Sequence, residues 1–236
     1  MKMFFKQLIV GVALIGASAA VMAQKPTIGV AEFKNESGAG WWRGGVGWEL
    51  SGMLANELAA TGDFNVVERS KLESVLAEQD LGASGRVSSS TSARIGKLTG
   101  AQYLVMGTVT SYEAGTSSRG GGISFKGISL GGKKSKAYIA VDIRVVNSTT
   151  GEIDFVRTIE GEAKSGGMSV GLYRGGFGGA LSGENKTPAG KAIRAALVLT
   201  TDYLSCVMVQ RNGCESKYEA ADQRRREKTR SALDID

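Results

Sequence analysis

The chain has 236 residues, of which 42% are apolar, 22% are charged and 34 are glycine, and its formal net charge is +6. This length and apolar content can bury the core of one or two domains, which excludes a disordered tail and a disulfide miniprotein. The chain contains no histidine, so a Ser-His-Asp or Cys-His relay is excluded and the commonest metal ligand is missing. This excludes most familiar hydrolase chemistry, and no other residue pattern in the sequence favours an enzyme, so we expect no enzyme activity, no metal and no cofactor.

The N-terminus has the pattern of a secretory signal peptide over residues 1–23. Lys2 and Lys6 precede an apolar run at 8–15, and small residues lead to a cleavage position after Ala23. The run is too short to span a bilayer as a helix. No cysteine stands just after it, so we expect an exported protein that is not a lipoprotein. Its location would be the periplasm or the periplasmic side of the outer membrane.

Residues 25–112 have the apolar spacing of an ordinary α/β domain. Because helices alternate with strands there, the sheet should be at least partly parallel. The first predicted elements are a strand at 27–33 and a helix with Val46, Leu50, Met53, Leu54 and Leu58 on one face. A strand at 64–67 follows, and then a helix that opens with a capping box at Ser70 and Glu73 and has Leu72, Val75 and Leu76 on one face. A short helix near 91–98 and a strand at 103–109 complete this part.

Residues 112–186 contain half of the glycines, mostly in two clusters at 120–136 and 166–179. Strands are predicted beside them at 137–146 and 152–159, joined by a turn. Within the clusters, apolar residues alternate with Ser, Gly or Lys, which is typical of a strand with one apolar side. Each insert, at about 113–141 and about 158–186, is long enough for two arms of the roughly 9 to 11 residues that cross a membrane as a tilted strand.

Two interpretations of the inserts stay open. As membrane-spanning hairpins they would turn eight apolar residues to the lipid, while Lys126 and Arg174 would face the lumen or an interface. Four strands from one chain cannot close a barrel, so this interpretation requires a ring of many copies. The other interpretation is two soluble loops on a periplasmic domain. The eight apolar residues are Ile123, Phe125, Ile128, Leu130, Met168, Val170, Leu172 and Phe177.

The C-terminal part begins with a long helix and ends in a charge run. Thr187 and Pro188 are typical of the cap and first turn of a helix. Its predicted buried stripe is Ile193, Ala196, Leu197, Thr200 and Leu204. Cys206 and Cys214 should form one disulfide in an exported protein, the alternative being two buried thiols. The charged tail is predicted to be a solvated helix end, the alternative being contact with an acidic surface such as lipid headgroups.

Three segments resemble the CsgG family of curli production assembly and transport components. They are residues 64–69, 105–113 and 143–153, the last containing Arg-Val-Val-Asn-x-x-Thr-Gly-Glu-Ile. The resemblance extends from about Pro26 to Met208. It implies a periplasmic α/β domain that forms a ring, in which each protomer lends two hairpins to a shared barrel that secretes amyloid subunits across the bacterial outer membrane. The two glycine-rich inserts lie at the matching places.

The resemblance also implies a constriction loop after the first strand, here residues 35–45. Trp41 and Trp42 align with the constriction positions if a short gap is accepted, and Arg43 follows them. Adjacent tryptophans are unusual in a surface loop, and around a ring they would form an aromatic girdle. The loop is shorter than the family's and lacks its amide and tyrosine, so the aperture or the cargo would differ. Trp48 should pack within the following helix.

We therefore expect an α/β (α+β) protein with a signal peptide at 1–23, one domain at 24–214 that carries both inserts, and a charged tail at 215–236. The first functional hypothesis is a homo-oligomeric outer-membrane pore that passes unfolded, curli-type polypeptide by diffusion, together with periplasmic and outer-membrane assembly factors. The alternative is a soluble periplasmic interaction module. Residues 127–133 approach the spacing of a phosphate-binding loop, but Lys134 replaces the required Ser or Thr. Export argues against nucleic acid as a partner.

Overall fold

A computed structural model of the protein describes residues 24–118, 124–125, 128–129, 133–164 and 187–233. The signal peptide predicted at 1–23 lies outside the described residues. The elements in chain order are β1 (Thr27–Val30), β2 (Lys34–Asn35), α1 (Val46–Thr61), β3 (Asn65–Val67), α2 (Leu72–Ala83), β4 (Tyr103–Ser118), β5 (Ser124–Phe125), β6 (Ile128–Ser129), β7 (Lys133–Asn147), β8 (Ile153–Lys164), α3 (Pro188–Ser205), a π-helical turn (Cys206–Gln210) and α4 (Glu215–Leu233).

The main sheet is mixed, as the alternation of helices and strands predicted. Its strand order is β3-β1-β4-β7-β8, and β2 pairs with β4. β1 is parallel to both β3 and β4, whereas β4, β7 and β8 follow one another antiparallel. The fold is therefore α+β, with a parallel part near the N-terminus and a long antiparallel meander after it.

The core lies between the sheet and two helices on one of its faces. Val46, Leu50, Leu54 and Leu58 form the buried stripe of α1, and Met53 is half-buried beside them. These apolar residues recur every three or four positions, so one face of α1 can meet the sheet along its whole length.

α3 begins at a side-chain cap and buries the predicted stripe. The Thr187 hydroxyl accepts a hydrogen bond from the Gly190 N–H at 3.0 Å, and Pro188 occupies the first turn. All five stripe residues are buried. Residues Pro188–Gln210 are long and apolar enough to cross a membrane, but 72% of their most apolar window is buried inside the domain. α3 is therefore a core helix of this fold.

The close approach of α3 to β8 requires a glycine. A Cβ atom at Gly161 would meet the carbonyl oxygen of Ala192 and the backbone of Ala196. Without a side chain at 161, the helix lies directly on the strand, and Ala192 and Ala196 are both almost fully buried there.

Three sequence predictions within the first 76 residues are wrong. The first strand ends at Val30, and all four of its residues are buried rather than alternating, because a parallel strand inside a sheet is covered on both faces. Ser70 does not cap α2; Glu68 accepts the Lys71 N–H and the Ser70 hydroxyl instead, each at 2.9 Å. Trp48 is 38% exposed rather than packed.

The short helix predicted near 91–98 is absent, and residues 84–102 form a connection without helix or strand. Serine and threonine hydroxyls there bond to nearby carbonyl oxygens, as in Thr91 to Ser88 and Ser92 to Ser89. Such local bonds compete with a helical ladder. Gly96 adopts a positive φ of 76°, which interrupts the helical backbone where the apolar spacing suggested one.

Candidate functional site

The predicted constriction loop starts beside β4. β2 pairs with β4, with Lys34 opposite Thr108 and Asn35 opposite Val109. The Glu36 N–H then donates a hydrogen bond to the Val109 carbonyl oxygen at 2.8 Å. The loop therefore leaves the sheet at the point on β4 from which that strand continues into the first insert.

Short local hydrogen bonds shape the loop. The Asn35 carboxamide oxygen accepts the Ser37 N–H at 3.0 Å and the Ser37 hydroxyl at 2.7 Å, which is an Asx turn. The Trp42 N–H donates to the Ala39 carbonyl oxygen at 3.0 Å. Gly45 adopts a φ of +90° just before α1, a conformation that side chains disfavour. These local hydrogen bonds and the conformation of Gly45 make residues 35–45 a compact loop.

The two tryptophans lie against the root of the first insert. The ring of Trp41 is 5.6 Å from the ring of Trp42 and 5.5 Å from that of Tyr112, the latter pair at 71°. Both tryptophans are half-buried and pack against the core, whereas Arg43 is exposed. The Trp41 Nε1 is buried and has no hydrogen-bond partner among the described residues. The structure thus makes Trp41 an anchor and leaves Arg43 at the outer part of the loop.

A β-bulge brings Tyr112 to this position. The pairing of β4 with β7 shifts between Val109 and Ser111, so that Val109 pairs with Val141 while Tyr112 pairs with Ile139. An extra residue in one strand moves every later side chain to the other face. Tyr112 therefore shares the core face with Val109. Sequence reasoning missed Tyr112, because neither the bulge nor the contact with Trp41 is a local pattern.

The core strands continue without interruption into both inserts. β4 and β7 stay paired as far as Ser118 and Lys133, and β7 and β8 as far as Lys136 and Lys164. Residues 113–118, 133–141 and 158–164 of the predicted hairpin arms are thus strands of the main sheet. β5 and β6 form a separate pair with Phe125 opposite Ile128. The other predicted lipid-facing residues lie outside the described residues: Ile123, Leu130, Met168, Val170, Leu172 and Phe177.

Acidic side chains surround a tyrosine where the strands leave the core. Glu113, Tyr138 and Glu162 are paired across β4, β7 and β8, and Glu160 is the next residue on the same face of β8. Partial burial raises the pKa of Tyr138 to about 12, helped by the charge and hydrogen bond of Glu160 and the charges of Glu113 and Glu162. Tyr138 is therefore neutral at any physiological pH. Sequence reasoning missed this cluster, which depends on the register of three strands.

At the β8 edge of the sheet, α4 is attached to the domain through its first turns. Cys206 and Cys214 form a disulfide with their Cα atoms 6.0 Å apart. The Arg157 guanidinium lies over the rings of Tyr203 and Tyr218, 5.4 and 5.1 Å from their centroids, and donates to the Tyr218 carbonyl oxygen at 2.7 Å. α4 itself has no buried residue. Arg157 connects α4 to β8, and Tyr218 connects it to α3 through its edge-on contact with Tyr203.

An open cavity of about 640 Å³ lies between β8 and α4. Val156 and Tyr203 line one side, and Asp222 and Arg226 line the other. Hydrogen bonds from Arg225 and Arg226 hold the pKa of Asp222 below its usual range despite slight burial. Asp222 and Arg226 are thus paired with each other, whereas Glu215 and Glu219, which also line the cavity, form no ion pair among the described residues.

Comparisons with known proteins give one match over nearly the whole chain. The family model described as curli production assembly/transport component CsgG matches residues 13–233. No curated protein matches the sequence.

Several solved structures are similar in part. The hypothetical protein CT253 from Chlamydia trachomatis is 13% identical, with 78% of this chain and 97% of that chain covered and a TM-score of 0.44. Lipoprotein GNA1162 from Neisseria meningitidis is 20% identical, with 62% and 88% covered and a TM-score of 0.33. A PelC dodecamer from Paraburkholderia phytofirmans is 15% identical, with 78% and 90% covered and a TM-score of 0.38.

Proposed function

Because the chain belongs to the CsgG family, we propose that it is the subunit of a homo-oligomeric pore that secretes unfolded polypeptide across the bacterial outer membrane. One observation carries the proposal: β4, β7 and β8 run from the buried core directly into the two glycine-rich inserts. A loop that served only as a linker would not need three paired strands to lead into it. The family's curli system is the model for the cargo, a polypeptide that crosses before it folds.

The ring follows from the chemistry of the bilayer. Inside lipid every backbone N–H and C=O must be bonded, so a sheet can span only as a closed barrel. Two hairpins supply four strands, fewer than the eight of the smallest membrane barrels. Several copies would have to contribute hairpins side by side. The α/β domains would then form a periplasmic ring beneath the barrel.

The aromatic loop would narrow this ring. The contact of Trp41 with Tyr112 fixes the loop at the root of the first insert, which is where a barrel would meet the periplasmic domain. Arg43 and the outer edge of Trp42 would project toward the passing chain. An aromatic ring binds an extended polypeptide weakly and can contact one segment after another as the polypeptide moves. Such contacts suit passage by diffusion without ATP.

A second function, the soluble periplasmic interaction module, is favoured by the composition of the strand extensions. Residues 113–118 of β4 and 133–136 of β7 contain no large apolar side chain. These parts of the arms would suit water as well as a barrel's periplasmic rim. Under this alternative the protein would act at the cell envelope as a partner in assembly rather than as a channel.

The deciding experiment compares the wild-type protein with a variant in which residues 119–132 and 165–186 are replaced by Gly/Ser linkers of equal length. The replacements keep every core strand intact. If the pore proposal holds, wild-type protein stays in urea-washed outer membranes as a complex of several copies, and the linker variant becomes soluble with unchanged secondary structure by circular dichroism. Wild-type protein recovered in the soluble periplasm would overturn the pore and support the interaction module.

A further inference from the structure

The face of the sheet that α1 and α3 leave uncovered carries an exposed apolar patch. Met106 and Val156 lie in one row across the sheet, with Arg144 between them, and Ile153 lies in the next row. Met106 is 39% exposed, Ile153 is 52% exposed and Val156 is 63% exposed. Scattered apolar side chains on a surface need no explanation, but neighbouring ones on one sheet face are typical of a contact surface. We call the side of β4, β7 and β8 that faces away from α1 and α3 the open face; it carries Met106 at one end and Glu162 at the other.

Beyond the apolar patch, the open face is acidic. Asp142 lies in the row after Arg144 and accepts a hydrogen bond from Thr158 at 2.7 Å. Glu160 and Glu162 follow on β8, both exposed, and neither forms an ion pair with any described residue. Arg225 on α4 is near enough to sense Glu160, but it is already hydrogen-bonded to Asp222 at 2.7 Å. Glu160 and Glu162 are therefore available to form ion pairs with cations of another molecule.

A complementary surface lies elsewhere on the same chain. Between α2 and β4, residues 84–102 form a connection of 19 residues without helix or strand. Such long connections are uncommon in compact domains and are usually functional. This one contains Arg86, Arg94 and Lys97 and no acidic residue. Ile95 and Leu98 stand among these cations and are 62% and 47% exposed. We call residues 84–102 the basic connection.

The C-terminal end of the basic connection is anchored at β1, where the Gln102 N–H donates to the Thr27 carbonyl oxygen at 2.8 Å. Ala101 there lies over Gly29, on the same face as the open face but at β1. Strands β4 and β7 lie between β1 and β8, so this anchored end lies beside Met106 on β4 but away from Glu160 and Glu162 on β8.

We propose that the basic connection of one protomer docks on the open face of the next copy of this chain. Ile95 and Leu98 would cover the apolar patch, and Arg94 and Lys97 would pair with the acids beside it. This inference rests on the proposed function, because it assigns the contacts between neighbours in the ring. The two surfaces differ, so the contact is head-to-tail, and repetition of a head-to-tail contact gives a closed ring when the rotation is suitable.

A second copy fits better than the other possible occupants. An anionic lipid surface would attract the basic connection, but it would repel the acids of the open face. An unfolded cargo polypeptide would offer neither fixed charges nor a fixed apolar pair. A copy of this chain satisfies both surfaces at once, matching apolar to apolar and cation to acid.

The first test is cross-linking of a double variant, Ile95→Cys with Val156→Cys, under mild oxidation. The two native cysteines are already joined to each other, so they should not interfere. A head-to-tail contact predicts a ladder of covalent trimers and larger species in denaturing electrophoresis. The controls are the two single variants, which should give no ladder. No cross-links, or covalent dimers alone, would overturn the inference.

The second test exchanges charges between the two surfaces. One variant carries Arg94→Glu and Lys97→Glu, and the other carries Glu160→Lys and Glu162→Lys. Each alone brings like charges together at the contact, so the complex should dissociate while the thermal unfolding of the protomer stays near that of wild type. A third variant that carries all four substitutions should restore the complex at any copy number, because every contact then joins acids to cations again, with the signs exchanged. Failure of this combined variant to assemble would contradict the contact.

These outcomes separate the inference from the proposed function. A urea-resistant membrane complex without the cross-linked ladder would keep the pore and discard this contact. A ladder formed by protein that remains in the soluble periplasm would keep the contact and discard the pore.

Discussion

Strand β7 shows opposite environments on its two sides. Ile139, Val141 and Ile143 face α1 and α3 and are at most 3% exposed, whereas the alternating residues Asp142 and Arg144 face away from the helices. A strand with one apolar side has to bury only that side, and here α1 and α3 pack on one face of the antiparallel strands. The comparison shows which contacts hold the protomer together and which are left for partners.

The largest predicted effect is at the helix-covered face. Gly161→Val would place a branched side chain where the Ala192 carbonyl oxygen and the Ala196 backbone lie. We expect a loss of more than about 3 kcal/mol in the free energy of unfolding, because backbone rather than a movable side chain is in the way. Urea unfolding followed by circular dichroism measures it. The matched control is Glu162→Val on the open side of β8, and equal losses in both variants would refute the distinction between the faces.

A pair of truncations sharpens the same comparison. Leu204 is fully buried in α3, so Leu204→Ala should cost about 3 kcal/mol through lost burial and the cavity left behind. Met106→Ala on the open face removes a side chain that is already 39% exposed, and should cost less than about 1 kcal/mol. Thermal and urea unfolding of isolated protomers give both values. Similar costs would mean that the open face is covered within the protomer.

A smaller effect is expected at the start of α3. Thr187→Ala removes the acceptor for the Gly190 N–H and should cost about 1 kcal/mol. Thr187→Ser keeps a hydroxyl at the same position and should retain most of the stability. Urea midpoints of the two variants decide it. If both variants matched wild type, the cap would contribute nothing to the helix that covers β8.

The smallest effect concerns pH on the open face. The pKa of Tyr138 is about 12, above the value of about 10 expected in the unfolded chain. The folded state therefore favours the protonated phenol. Its contribution to stability is fully present below about pH 10 and is lost as the pH rises toward 12. Ultraviolet absorbance of tyrosinate during a base titration should show one late phenol that is missing in Tyr138→Phe. Glu160→Gln should move that titration to lower pH.

The elements that the sequence predicts well are those with a local period. Leu50, Leu54 and Leu58 mark α1 because helical spacing needs no knowledge of the rest of the chain. The cap at Thr187 and Pro188 is also local, and α3 starts there. The family resemblance was confirmed over residues 13–233. The prediction of a helix near 91–98 is wrong because it used the apolar spacing alone, whereas serine and threonine hydroxyls in this segment form local hydrogen bonds that compete with a helix.

The site was harder to predict because it depends on register. Trp41 and Trp42 were identified as candidates, but the contact of Trp41 with Tyr112 joins residues far apart in sequence through a bulge. The acids around Tyr138 come from three strands whose alignment no single segment reveals. Whether Trp41, Trp42 and Arg43 form a constriction stays a prediction, as do the roles of the inserts.

The bulge at Val109 and Ser111 sets the phase of β4 from Ser111 to Ser118. Before it, odd-numbered residues of β4 point to the core, and after it even-numbered residues do. Deleting Thr110 would restore the simple phase and exchange the two sides of every later residue of β4. If β4 continues into a barrel wall as proposed, the gain or loss of one codon would exchange its inner and outer surfaces.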